Sequence, residues 1–184
     1  MVNRKLLVTL ILLVGMAGMA GAQEAPKAEI SLGYAFLNDD SLGDFDISGN
    51  FPLGWMASAN FNVSNWLGVV LDISGSYKSE DLILDDLKLN VHGFHGGLRF
   101  SSYKNSSATP YFQALAGVTR GAADFLGESD SATDFSIQPG AGVIVRLSDS
   151  IGIDLGADYR LVFSEGDKTN EFRVHGGVVF RIGR

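Results

Sequence analysis

The chain has 184 residues, 14 Lys and Arg against 21 Asp and Glu for a formal charge of −7, and no cysteine. Disulfides, thiol chemistry and thiolate metal sites are thereby excluded, and the acidic balance disfavours nucleic acid as a partner. The length suits one domain.

Residues 1–22 are expected to be a cleaved secretory signal. Arg4 and Lys5 precede an apolar run over 6–14, and Ala20, Gly21 and Ala22 supply a small-residue cleavage site before Gln23. A transmembrane helix in their place fails because the apolar run is too short to span. Loss of Arg4 and Lys5 takes the charge from −7 to −9 for the 23–184 domain. No later stretch approaches about eighteen consecutive apolar residues, so this domain can cross a bilayer only as a closed barrel.

Eight segments then alternate with a period of two, the mark of a strand with unlike faces. The first, 28–37, sets Ile30, Leu32, Tyr34 and Phe36 against Glu29, Ser31, Gly33 and Ala35. The second, 51–63, carries Phe51, Leu53, Trp55, Phe61 and Val63 on one face, and the third, 66–77, carries Leu67, Val69, Leu71, Ile73 and Tyr77. The fourth, 87–100, changes phase: Leu87, Leu89 and Val91 lie in one register and Phe94, Leu98 and Phe100 in the other. A one-residue bulge near Gly93 is predicted, which turns both His92 and His95 inward. The fifth is 109–121. The sixth, 135–147, has Pro139 at its middle, which predicts a local bulge in Gln138-Pro139-Gly140. A break at 148–150 makes a hairpin with the seventh, 151–163, and the eighth is 172–182.

The non-apolar face decides which way the sheet turns. It consists mostly of Gly and Ser with a few Asp, Arg and His, whereas a water-exposed face favours Lys, Glu and Thr over Gly. Small residues with a few charges suit the crowded interior of a narrow membrane barrel whose apolar alternates meet hydrocarbon. Long connections at 38–50, 78–86, 122–133 and 164–170 alternate with shorter ones, as membrane barrels arrange external loops and periplasmic turns. The predicted fold is an all-β, closed eight-stranded antiparallel transmembrane barrel with up-and-down topology. The rival is a soluble periplasmic, lipocalin-like ligand-binding barrel with the apolar face turned in.

Three stretches carry a family likeness: Thr109-Pro110-Tyr111 running to Ala116-Gly117-Val118, then Pro139-Gly140-Ala141-Gly142, then Asp158-Tyr159-Arg160 within 153–163. With the strand pattern, the mature chain resembles the eight-stranded outer-membrane β-barrels that include the OmpA transmembrane domain and the opacity-porin-like proteins. The likeness implies an outer-membrane location, lipopolysaccharide as surroundings and the barrel-assembly machinery during biogenesis. Two features depart from the family. Its terminal aromatic is followed here by Arg181, Ile182, Gly183 and Arg184 after Phe180, and no cell-wall-binding domain is present, so no tether to peptidoglycan is expected.

Charge sorts into two groups. The long connections hold Asp39, Asp40, Asp44 and Asp46, then Glu80, Asp81, Asp85 and Asp86, then Asp124, Glu128 and Asp130, then Glu165 and Asp167, offset by Lys78 and Lys168. This acidic rim keeps exposed loops soluble; a sharper reading is divalent-cation bridging to lipopolysaccharide, or a basic partner. The inward phase holds Glu29, Asp72, Asp154 and Asp158 against Lys88, Arg99, Arg146, Arg160, Arg173 and Arg181, with His175 among them. These are expected to form a self-neutralising lumen network: Arg146 near Asp154, Glu29 near Arg181 at the closing seam, and His175 near Asp158. The alternative use of the same groups is a gated ion path. The three His lack zinc-site spacing and no nucleophile elbow is present, so neither metal, cofactor nor catalysis is expected, although a lipid A-modifying enzyme stays as a rival. The expected role is structural, surface-interactive or weakly porin-like, in a monomer. Leu155→Arg is expected to be costly and Gly156→Ser milder.

Overall fold

The structure is a computed structural model and describes residues 24–39, 49–81, 86–104, 107–125, 128–164 and 167–183. The expected leader, 1–22, and the rim positions Asp40, Asp44, Asp46, Asp85 and Glu165 lie outside these described residues. Among the described residues, nine strand segments make eight staves: β1 (Ala28–Asp39), β2 (Asn50–Phe51), β3 (Leu53–Asn62), β4 (Leu67–Asp81), β5 (Asp86–Ser101), β6 (Ala108–Phe125), β7 (Glu128–Arg146), β8 (Ile151–Ser164) and β9 (Asp167–Ile182). β2 and β3 share β1 as partner, later strands pair antiparallel in chain order, and β9 returns to β1, with Ala28 opposite Ile182 and Asp39 opposite Glu171. The sheet is closed, as the alternation predicts, so every spanning strand finds a partner on both sides.

The apolar face is outside. Leu32 is 50% exposed, Phe94 52% and Leu155 49%, whereas Arg99, Arg160 and Arg173 are each 1% exposed. Among the described residues, the buried set is dominated by Ser, Asn, Gln, Asp, Glu and Arg side chains. An apolar-centred carrier barrel is excluded by this inversion. Outward aromatics gather at two levels: Phe61, Trp66 with Phe100 stacked on it, Phe112 and Phe180 towards the short turns, and Tyr34, Trp55, Tyr77, Tyr159 and Phe172 towards the other end. On β9 the levels are set by Phe172 and Phe180, a separation matching a tilted strand crossing of about nine to eleven residues.

Both predicted bulges are corrected. β5 runs in unbroken register against β4, from Leu67 opposite Phe100 to Asp81 opposite Asp86, and against β6, so nothing is inserted at Gly93. The phase change instead marks a change of interior: Val91 and Leu89 face in and pack with Leu37 and Phe51 in an apolar cap above the polar lumen. His92 consequently faces out and His95 faces in. The extra residue lies in the first hairpin. Tyr34 faces Trp55, but Leu37 faces Phe51, leaving two residues between them on β1 and three, Pro52 to Gly54, on the other side. That insertion flips the alternation, so Phe51 is 1% exposed inside while Leu53 is 67% exposed outside. Proline lacks the N–H a ladder needs and marks the break, and the Pro52 carbonyl accepts a hydrogen bond from the Tyr34 hydroxyl. At Pro139 the β7–β8 ladder skips from Ile137 opposite Leu161 to Gly140 opposite Asp158 without changing register. The missing donor opens the ladder there without adding a residue.

Three of the expected long loops are largely strand. β4 and β5 pair out to Asp81 opposite Asp86, β6 and β7 to Phe125 opposite Glu128, and β8 and β9 to Ser164 opposite Asp167. Backbone groups above the membrane still pair with one another, although the side chains there carry no apolar alternation to announce it. The result is uneven. Among the described residues, β7 meets β8 only as far as Phe135 opposite Phe163, so 128–134 pair there with β6 alone. Among the described residues, β6 and β7, at 18 and 19 residues, are longer than β8 at 14 and with β4 and β5 form a tall wall.

Candidate functional site: a filled lumen under a projecting wall

The inward Gly, Ser and charged residues of all eight staves meet in the lumen. Arg173 on β9 reaches across the barrel to Asp72 on β4, with Nη1 and Nη2 donating to its two oxygens at 3.0 and 3.1 Å. Its Nε and Nη2 also donate to Asp158 Oδ2 at 2.9 and 2.8 Å, so one guanidinium holds two carboxylates. Asp158 also accepts from Gln113 Nε2 at 2.9 Å and has His175 Nδ1 at 3.3 Å. Arg99 donates to Gln113 Oε1 at 2.8 and 3.1 Å and lies 4.2 Å over the Tyr111 ring. Tyr111 in turn donates to Asp154 Oδ1 at 2.9 Å, and Ser31 donates to Asp154 Oδ2 at 2.9 Å. Nearer the cap, Arg160 donates to Glu171 at 2.8 Å, Gln138 at 2.8 Å and Ser74 at 3.2 Å.

At the turn end, closure sets Glu29 Oε1 3.5 Å from Arg181 Nε, an ion-pair distance without hydrogen-bond alignment. Glu29 Oε2 accepts from Tyr103 at 2.9 Å and Asn60 at 3.2 Å. Tyr103 sits in the turn after β5, outside the spanning strands, and is 2% exposed. Burial and the adjacent Glu29 carboxylate push its hydroxyl pKa well up, so it stays protonated and donates. Arg146 faces Gly152 in register at the same mouth.

The glycines of the inner face are where these side chains go. A Cβ on Gly140 would collide with Asp158 Oδ1, one on Gly93 would stand 2.8 Å from Arg160 Nη2, and one on Gly156 would stand 2.6 Å from the His175 ring. The Gly-rich interior is therefore the complement of the Arg and Asp network, and Gly156→Ser is not the mild change the alternation suggests.

Of the eleven residues expected in the lumen, Lys88 is misplaced. Without a bulge at Gly93 its position falls on the outer phase, where it is exposed and opposite Asp124. The others occupy inward positions, and Arg146 and Arg181 line the turn-end mouth with Glu24 and Asp149. Sequence reasoning missed Glu171, because the strand was expected to begin at Phe172, and left the inward-phase Gln113 and Gln138 unused. Tyr103 lies in a turn, where periodicity offers no signal. Rim positions Glu80, Asp81, Asp86, Asp124, Glu128, Asp130 and Asp167 stand on paired strands, and Asp39 ends β1.

His95 Nε2 lies 2.8 Å from Ser136 Oγ, which is also 2.9 Å from Thr119 Oγ1. Both partners are buried, at 4% and 0% exposure, and His95 Nδ1 has no hydrogen-bond partner. Among the described residues no carboxylate hydrogen-bonds Nδ1 in the way a His-based triad requires.

A family model described as "Outer membrane protein beta-barrel domain" matches residues 8–180. No curated protein matches the chain. Among solved structures, Ail, the attachment invasion locus protein of Yersinia pestis, is 20% identical with a TM-score of 0.60, covering 86% of this chain and 99% of that one. Neisserial surface protein A is 16% identical with a TM-score of 0.63, covering 84% and 96%. OprG from Pseudomonas aeruginosa is 13% identical with a TM-score of 0.57, covering 89% and 99%. At these identities the likeness is one of fold, and it is the family match over most of the chain, joined to the inverted closed barrel, that makes this chain a member of the outer membrane protein β-barrel domain family.

Proposed function

We propose that this protein is a non-catalytic, non-conducting outer-membrane barrel that acts at the cell surface through its projecting β4–β7 wall. The observation that carries the reading is the lumen: Arg173, Asp72, Asp158, Arg160 and Glu171 bridge it from wall to wall beneath the apolar cap of Leu37, Phe51 and Val91. An eight-stranded interior is just wide enough for such side chains, which leaves no room for solute. The exterior offers instead a wall whose segment 128–134 pairs with β6 alone among the described residues, carries Asp130 and Asp134, and is fit to pair with an extended, basic partner segment. An acidic surface opposes polyanions, so a sulfated ligand such as the heparin analogue sucrose octasulfate, found in complex with Ail, is not expected here. In this reading residues 1–22 are removed on export, the barrel-assembly machinery inserts the chain, and it stands as a monomer among lipopolysaccharide, whose divalent cations the rim acids help to bridge. Planar-bilayer recordings of refolded protein should show no channel events, and whole cells should bind a Lys-rich extended peptide only while residues 128–134 are intact. Steady conductance from folded protein would overturn the first half, and peptide binding indifferent to that segment the second.

A further inference from the structure

We infer that the outer wall of β5–β7 holds a site for the phosphorylated sugar headgroup of an outer-leaflet glycolipid. The inference rests on the outer-membrane reading and adds to it a place and a chemistry. A recess of about 400 Å³ opens on the outward face between Asn90, His92, Phe94, Arg120, Ala122 and Ser131, with Asp124 and Asp130 on its upper side. Its floor exists because position 122 is alanine. Its lower lip is Phe94, which belongs with Val118 and Phe135 to the exposed, lipid-facing band, so a lipid lying on that band brings its headgroup to the recess.

The lining offers both kinds of partner a sugar phosphate needs. Arg120 stands opposite His92 in register, is exposed, and donates one hydrogen bond, to Ser131 Oγ at 3.3 Å. The guanidinium and the imidazole face the recess as donors for a phosphate. The Asp124 and Asp130 carboxylates and the Asn90 amide carbonyl can accept from sugar hydroxyl or amide groups. His92 is braced from behind: its Nε2 lies 3.1 Å from the Tyr77 hydroxyl, the two rings meet edge-on at 5.5 Å, and Trp55 Nε1 donates to the same hydroxyl at 3.3 Å. Asp124 beside Arg120 and opposite Lys88 gives this face acid as well as base, which suits a headgroup mixing phosphate with hydroxyls better than a simple anionic phospholipid.

The test uses the folded barrel in detergent micelles, titrated with bis-phosphorylated lipid A, phosphatidylglycerol or glucosamine phosphate. Native mass spectrometry counts adducts while tryptophan emission reports on Trp55. One lipid A adduct and an emission shift are expected. Arg120→Ala, by the loss of one charge-assisted hydrogen bond, and, independently, Ala122→Phe, by filling the recess, should each weaken binding about tenfold or more, while Lys168→Ala on the far wall leaves it unchanged. Equal retention by the two recess variants overturns the site. Equal binding of phosphatidylglycerol overturns the sugar assignment, and equal binding of glucosamine phosphate overturns the lipid as its source. A chain that shows no heat-modifiable barrel on a gel fails at the membrane reading itself, a result distinct from a folded barrel without an adduct.

Discussion

Replacing Arg173 with methionine removes four hydrogen bonds at 2.8–3.1 Å and takes away the cation that two carboxylates share. Asp158 keeps Gln113 and His175, but Asp72 loses its ion-pair partner at 1% exposure. Charge-assisted hydrogen bonds contribute about 1.5–3 kcal/mol each, so the four set a ceiling of roughly 6–12 kcal/mol. Water entry or protonation of Asp72 recovers part of this, and breaking one buried pair by removing a partner costs about 3–5 kcal/mol. Arg173→Met should therefore destabilise by about 4 kcal/mol. The pair Arg173→Met with Asp72→Leu should recover about 1–3 kcal/mol as coupling, because no charge is then left alone at that end. Arg173→Lys should fall between, since a point charge cannot fork to two carboxylates. Reversible urea unfolding in lipid vesicles, followed through Trp55 and Trp66, measures all three. A loss under about 1 kcal/mol for Arg173→Met, at an unchanged denaturant slope, would mean that the lumen is wet and that the ion pairs do not close it.

Three further outcomes test the facing and the packing by the same unfolding assay. Leu155→Arg places a charge on the lipid side and should cost about 2–4 kcal/mol near mid-bilayer; a neutral result would contradict the inverted barrel. Gly96 and Gly97 are chain neighbours with opposite surroundings: a Cβ on Gly96 meets nothing closer than 3.5 Å, whereas one on Gly97 collides with the Ala114 carbonyl and lies 2.8 Å from Leu115 Cα. Gly96→Ala should be nearly neutral and Gly97→Ala should cost about 1–3 kcal/mol, as overpacking does. Phe51→Ala should cost about 3–5 kcal/mol as a core deletion in the lumen cap, against under about 1 kcal/mol for Leu53→Ala on the outer surface; equal costs would place the two residues on one face after all.

The sequence by itself determined the number of staves, their antiparallel order and the face that meets lipid. Each of these depends on a period of two repeated along a chain whose strands join their neighbours, and on the contrast between Leu155 or Phe172 outside and Gly156 or Arg173 inside. Such information is local, and every residue reports it independently. It also brought Glu29 to Arg181 and His175 to Asp158, because closure and hairpin register are simple to count. Only the tertiary structure decided where the alternation changes meaning. Leu89 and Val91 look lipid-facing by composition, yet they face a lumen that turns apolar at its outer end, and Phe51 joins them because a residue is inserted at Pro52 rather than at Gly93. The reach of Arg173 to Asp72 and of Ser31 to Asp154 spans strands that are distant along the chain, and no periodicity encodes a contact made across an enclosed space. The tall β4–β7 wall was hidden for the opposite reason: above the membrane neither face is buried in lipid or lumen, so backbone pairing continues through residues whose side chains have no pattern left to show.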